Sequence, residues 1–317
     1  MPRSITTYAS FAGKLLVRLA GGLLLLATAS FLLVQAMPGD PVVRLLGGDA
    51  SEADIARART ALGLDDPFYV RYLDFIRRIF TFDFGSSFTG EPVTSVLGDR
   101  AWHTAVLAGT SMVVTAVLSV VAGLVAAAVT QGERRSGFAH AFTTVTGFLA
   151  AVPSYVLAMG LVALFAVTLE LFSVAGADGP SSLVLPVTAL SLPAAAVLCR
   201  IVRVEALSVL ESDFVRTVRS KQLPRTRLYL RHVLPNVVTG ALTIGGVMFG
   251  YLLGGSVIVE NVFQWPGLGT EMVHVINTRD FPVLQTAIIF IGVGVLAVNS
   301  IVDVVLFVLD PRIRAAS

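Results

Sequence analysis

Hydrophobic positions along this chain gather into six long blocks, not into the short alternating runs of a half-buried sheet. They cover roughly 15–36, 104–130, 138–169, 183–201, 237–259 and 284–309. About twenty apolar residues suffice to cross a hydrocarbon core near 30 Å. Each block therefore predicts a membrane-spanning helix, and the longer ones imply tilt or extension beyond the lipid. Met37-Pro38-Gly39-Asp40-Pro41 ends the first abruptly, because two prolines and a glycine cannot continue a helix. The predicted fold is an all-α membrane protein of six spans, with a helical insertion on one face and a charged loop on the other. Its expected divisions are 1–36 (tail and first span), 37–103 (insertion) and 104–317 (five-helix core including the loop 211–235).

The insertion has its own helical signals. Ser51 and Asp54 form a capping-box-like start, and the helix from Glu52 stops at Gly63. After Pro67, Phe68, Tyr69, Tyr72, Phe75, Ile76, Ile79 and Phe80 share one face, and Arg71, Asp74, Arg77 and Arg78 lie away from it. Such a helix suits the membrane interface or packing on the spans, or a small extramembrane subdomain; the pattern leaves these open.

The charged loop holds six basic residues, Arg216, Arg219, Lys221, Arg225, Arg227 and Arg231, against Glu211 and Asp213. Ser212 can cap a first helix with Asp213 in its first turn. Phe214, Val215, Val218 and Leu223 recur at helical spacing on one side. Pro224 interrupts, and a second short helix is expected through Leu228, Leu230 and Leu234, stopped by Pro235. A positive loop and a docking element pushed by a partner both fit this charge pattern.

Composition agrees with a membrane solvent: 55% hydrophobic, 14% charged, mean hydropathy +0.80, against about 25% charged in soluble domains. Basic residues crowd the N-terminal tail, the turn at Arg134 and Arg135, the Arg200–Arg231 region and Arg312/Arg314. The positive-inside rule thus puts both termini and the charged loop in the cytoplasm of a multi-pass protein. A single cysteine, Cys199, and four scattered histidines exclude an internal disulfide and give no metal-ligand pair.

The last outer loop is predicted to be unusual. Glu260 and Asn261 close a span, followed by Phe263 and Trp265 and then by Pro266, Gly267 and Gly269, which favour a tight path. An ordinary aromatic belt and a buried outer gate lining a cavity are equally open. Asn299 and Asp303 form an intramembrane polar pair on one face of the last span; its nearness to the cytoplasmic end favours a structural hydrogen bond. The sequence has no Walker A loop and no catalytic motif, and its metal and catalytic sets are empty. Ser111 in Gly109-Thr110-Ser111-Met112 resembles an intramembrane protease serine only faintly, with no base at matching depth. A channel or secondary transporter would need inverted repeats or midplane charges that the pattern does not present.

The motifs, in order, carry a family resemblance: PGDP at 38–41, LGLDDP at 62–67, FGSS at 84–87, the charged loop, GGSVIVENVFQWPGLG at 254–269, RDFP at 279–282 and DPRIR at 310–314. The chain resembles, nearly end to end, the permease subunits of bacterial ABC importers of the dipeptide/oligopeptide/nickel branch. The resemblance implies a coupling loop, with Arg216-Thr217-Val218 at the E-A-A positions and His232-Val233-Leu234-Pro235 at I-x-L-P. Phe214, Val215, Arg219, Ser220, Lys221, Gln222 and Leu223 complete it, with Gln222 where the family has glycine. It also implies alternating access, with no cofactor bound by this chain and ATP and Mg used by two ATP-binding partner subunits. A second homologous permease, an extracytoplasmic solute-binding protein and the bilayer are the other expected partners, and nucleic acid is not. The implied cargo is short peptides, with nickel or a metal chelate as the runner-up.

Overall fold

A computed structural model describes residues 2–37, 42, 46, 50–61, 63–133, 136–220 and 224–309. The helices are α1 (Pro2–Ala36), α2 (Glu52–Ala61), α3 (Phe68–Thr81), α4 (Val93–Thr130), α5 (Ser136–Ala151), α6 (Ser154–Leu161), α7 (Val184–Glu211), α8 (Asp213–Ser220), α9 (Arg225–Leu228), α10 (Leu234–Val262), α11 (Leu268–Thr278) and α12 (Phe281–Leu309). Among the described residues the only β pairing is an isolated bridge between Ser86 and Pro92.

Five stretches are long and apolar enough to cross a membrane without a break: Ser10–Ala36, Val93–Thr130, Pro180–Glu211, Thr243–Val262 and Phe281–Val308. The third expected span is broken. α5 and the helix through Ser154–Thr168 meet at 92°, so the count is six only if this bent pair is one span. Pro153 explains the break: it has no N–H, and it sits extended (φ −59°, ψ 139°) where α6 restarts. Two other spans run past their apolar blocks. α4 starts just after Pro92 and continues unbroken through His103, and α7 carries Arg200 and Arg203 on its own last turns.

α4 and α7 form the tightest seam in the bundle. Small residues allow it: a Cβ at Gly123 would come within 2.5 Å of the Val202 side chain and 2.8 Å of the Cys199 carbonyl. Thr115 Oγ1 donates across the seam to the Ser191 carbonyl at 3.5 Å. Close approach of this kind replaces the hydrophobic effect as the source of helix association in lipid. Gly123→Ala is expected to cost about 1–3 kcal/mol through overpacking against backbone. Thermal-shift gel filtration of the solubilised complex would show it as a lowered midpoint.

The insertion carries one local cap and one long-range clasp. Ser51 caps α2, its Oγ accepting from the Asp54 N–H at 3.2 Å, and Gly63 turns the chain at φ 63°. A tight turn over 85–92 then feeds α4, with the Ser87 N–H donating to the Glu91 carbonyl at 2.8 Å. The turn is pinned to the α11–α12 corner by Asp280. That buried carboxylate accepts from Ser87 Oγ at 2.5 Å and from the Phe88 N–H at 3.0 Å on one oxygen, and its other oxygen accepts from the Val283 N–H at 3.4 Å. The FGSS and RDFP motifs, about 190 residues apart, thus meet in one hydrogen-bonded contact. Asp280→Ala would leave buried donors unpaired, at about 1–3 kcal/mol each. Faster limited proteolysis in 82–92, with the spans intact, is the expected result.

Candidate functional site

The charged loop folds as two short helices packed under the ends of α7 and α10. Ser212 caps α8 as its sequence suggests: its Oγ accepts from the Val215 N–H at 3.4 Å. Val215 and Val218, one turn apart, are buried with Leu228 and Val233 in a core shared with Ala127, Val202, Ala206, Leu210 and Val237. That core makes α8 continuous with three spanning helices. Phe214 departs from the expected apolar stripe. It is 53% exposed and meets the His232 ring edge-on, with centroids 5.8 Å apart. Arg216, Thr217 and Ser220 are exposed with it, and Arg216 pairs with Asp213 at 3.4 Å, a surface contact of little energetic weight.

Pro235 does not stop the second helix. α9 passes through a π-turn, Tyr229–Val233, directly into α10, and Pro235 lies in the first turn of α10. A proline is tolerated there because its missing N–H falls where the regular i→i−4 ladder is already interrupted. The Asn236 amide donates to the His232 carbonyl at 2.7 Å and satisfies one group in the transition. Leu234 heads α10, half-buried. Lys221, Gln222 and Leu223 lie outside the described residues, as do Arg312 and Arg314; Arg219 is in the last turn of α8.

The Glu260–Gly269 turn is a closed knot. Glu260 is fully buried at the end of α10. Its Oε1 accepts from Thr104 Oγ1 of α4 at 2.9 Å, and its Oε2 accepts from the Gly269 N–H at 2.6 Å. Thr104 Oγ1 in turn accepts from the Leu268 N–H at 2.8 Å. Two side chains from other helices thereby satisfy the first free N–H groups of α11. Trp265 is buried, donating from Nε1 to the His103 carbonyl at 3.1 Å and from its backbone to the Glu260 carbonyl at 2.8 Å. Phe263 is buried in the same cluster as Val259, Leu107 and Leu190, and its carbonyl accepts from the Gly176 N–H at 3.0 Å. Asn261 links the Val257 and Gly269 carbonyls at 2.8 and 3.3 Å. Pro266 is half-buried, and Gly267 packs so closely on Glu260 and Thr104 that a Cβ there would collide with both.

The polar pair is divided between two neighbours. Asp303 forms an ion pair with Arg18 of α1. Asn299 turns to α10, where a Cβ at Gly246 would lie 3.1 Å from its Oδ1. Both contacts join helices: α1 to α12 through the Arg18–Asp303 ion pair, and α10 to α12 through Asn299. Ser111 is buried without a hydrogen-bond partner. The nearest histidine in sequence, His103, is about 12 Å away along α4, with Nδ1 bonded to the Asp99 carbonyl at 2.9 Å. Among the described residues no titratable side chain hydrogen-bonds Ser111 Oγ, which is what activation as a nucleophile requires.

Two residues central to these contacts carry no signal in the pattern: Thr104 looks like the first residue of an apolar block, and Asp280 like part of a motif without a stated role. Their partners Glu260 and Ser87 are 156 and 193 residues away, so only the fold joins them.

The arrangement is that of a multi-spanning membrane bundle with a short helix mounted on its charged face. The pattern of the binding-protein-dependent transport system inner membrane component matches residues 119–315, and that family's N-terminal pattern matches residues 13–108. A putative peptide transport system permease protein of Brucella abortus is 36% identical over 92% of this chain and 95% of its own length. A glutathione transport system permease protein of Salmonella typhimurium is 35% identical over 95% and 97%. The solved inward-facing MetNI methionine ABC transporter shares the fold with TM-score 0.58 at 14% identity, covering 68% of this chain and 97% of that one. The chain belongs to the binding-protein-dependent transport system inner membrane component family and is a permease subunit of an ABC importer.

Proposed function

We propose that this subunit supplies half of the path by which an ABC importer carries short peptides, including small peptides of the glutathione type, across a bacterial plasma membrane. The names of the two relatives support the substrate class. The observation that carries the coupling role is the mounting of α8: Val215 and Val218 are locked into the span core while Phe214, Arg216 and Thr217 are exposed on the other side. A lever needs such a rigid back and a free front.

In this reading α8 and both termini face the cytoplasm, as the Lys and Arg distribution indicates. Two ATP-binding subunits consume ATP and Mg and press on α8. A second permease completes the path, and a solute-binding protein delivers cargo to the insertion's face. The Glu260 knot serves as the fixed corner against which an outer gate closes, with Phe263 and Trp265 as its packed wall. The ligand biases the cycle only through different affinities for the two states. Uptake of labelled di- and tripeptides by cells with and without the subunit tests the substrate. Loss of uptake on deletion, with competition by excess glutathione and none by nickel, is expected. Loss of nickel uptake alone would replace peptide with metal.

A further inference from the structure

Helix rise gives the face of α3 left over after packing a depth, with each span taken as centred on the hydrocarbon core. Its inner arc, Phe68, Tyr72, Phe75 and Ile79, lies on the spans. Phe31 of α1 meets the Phe68, Tyr72 and Phe75 rings at 5.3, 5.4 and 5.6 Å, Tyr72 Oη hydrogen-bonds Thr28 Oγ1 at 2.7 Å, and Ile79 packs with Ala27 and Ile289. From Phe68 to Ile79 α3 advances about 16 Å, whereas its contact points on α1 descend only about 6 Å. α3 therefore crosses the spans at a shallow angle to the membrane plane.

Helix rise sets the depth. The Ser10–Ala36 and Phe281–Val308 spans, of 27 and 28 residues, are each about 40 Å long against a core of about 30 Å. About 5 Å of each projects beyond the core at either end. The contacts at Phe31, Ala27 and Ile289 fall about 7–13 Å from the helix ends on the insertion's side, hence about 2–8 Å inside the hydrocarbon boundary. At that depth α3 presents a second apolar arc to the outside. Leu73 is 63% exposed, Tyr69 65% and Phe80 70%, and all lie about 100–140° round the helix from Phe68. The opposite face is wet: Arg71, Asp74 and Arg78 line an open cleft of about 840 Å³, and Arg77 is exposed at the rim.

We propose that α3 is an in-plane membrane helix, its Tyr69, Leu73 and Phe80 face embedded in the headgroup–acyl boundary of the leaflet on the insertion's side. The apolar arc takes lipid chains, Arg77 sits at headgroup level, and the insertion is moored to the bilayer as well as to the bundle. This requires only that the chain spans a membrane, so it stands apart from the peptide assignment.

The test places nitroxide labels one at a time on Leu73→Cys, Phe80→Cys and Arg77→Cys in the assembled transporter in liposomes, Cys199 being buried. Collision with oxygen, which concentrates in lipid, is compared with collision with water-soluble chromium oxalate. The labels at 73 and 80 are expected to favour oxygen several-fold over the label at 77. Tyr69→Cys replaces either site if a variant fails to assemble. Preferential collision of the 73 and 80 labels with chromium oxalate overturns the proposal, because the face is then in water. Loss of access to both reagents also overturns it and gives the face to a protein partner, such as the binding protein.

Discussion

Replacing Glu260 by alanine is expected to remove most of the stably folded subunit from the membrane. The carboxylate joins α10, α4 and α11 through both of its oxygens, and it is fully buried. Without it the Gly269 N–H and the Thr104 hydroxyl lose their acceptor in a site that water does not reach. Leaving such groups unpaired costs about 1–3 kcal/mol each, so about 2–6 kcal/mol for the two. Glu260→Gln keeps the shape and one acceptor oxygen and should be much milder. Gly269→Ala should resemble Glu260→Ala, because its Cβ would collide with the Val257 backbone, which cannot move aside as a flexible side chain would. Thermal-shift gel filtration of the three variants checks this; equal midpoints for Glu260→Ala and the wild type would remove the knot from the account.

The second large effect is expected at α8, and there folding and coupling separate. Phe214→Asp combined with Arg216→Glu alters the free face only. It should leave the subunit inserted and monodisperse while lowering ATP-driven uptake by about tenfold or more. Interface hot spots, among which aromatic residues and arginine are enriched, cost about 2 kcal/mol or more when truncated. Val215→Asp, on the locked face, should instead deplete the subunit itself, because a charge would enter the core shared with Val202 and Val237. Co-purification of the ATP-binding subunits with each variant reads the difference. Full retention of partners and uptake in the Phe214/Arg216 variant would reduce the loop to a positive-inside signal.

Much of this molecule is readable from pattern because lipid imposes a strict rule on backbone and side chains alike. Apolar block length matches five unbroken helices of spanning length and one bent pair, and Ser51, Gly63 and Ser212 mark real helix ends, since caps and left-handed turns act locally. Proline was read less well. Pro153 breaks its apolar block at a right angle, whereas Pro235, expected to stop a helix, sits harmlessly in a first turn. Pro235 falls in the first turn of α10 beside the π-turn at Tyr229–Val233, where its missing N–H costs little. The aromatic helix of the insertion was legible as amphipathic, but its division into a packed and a free arc depends on Phe31 and Ile289, far away in sequence. The same holds for the Glu260–Thr104–Gly269 knot and the Asp280–Ser87 clasp. Each joins polar residues that only tertiary contact brings together.

The most direct test of the central claim is transport by the assembled complex in proteoliposomes, with ATP on the α8 side and labelled short peptides on the insertion side. It is run with active and with hydrolysis-deficient ATP-binding subunits. Peptide accumulation that requires ATP, ceases with the deficient partners and drops in the Phe214/Arg216 variant is the predicted result. Peptide flux that continues when the partners cannot hydrolyse ATP would contradict the account.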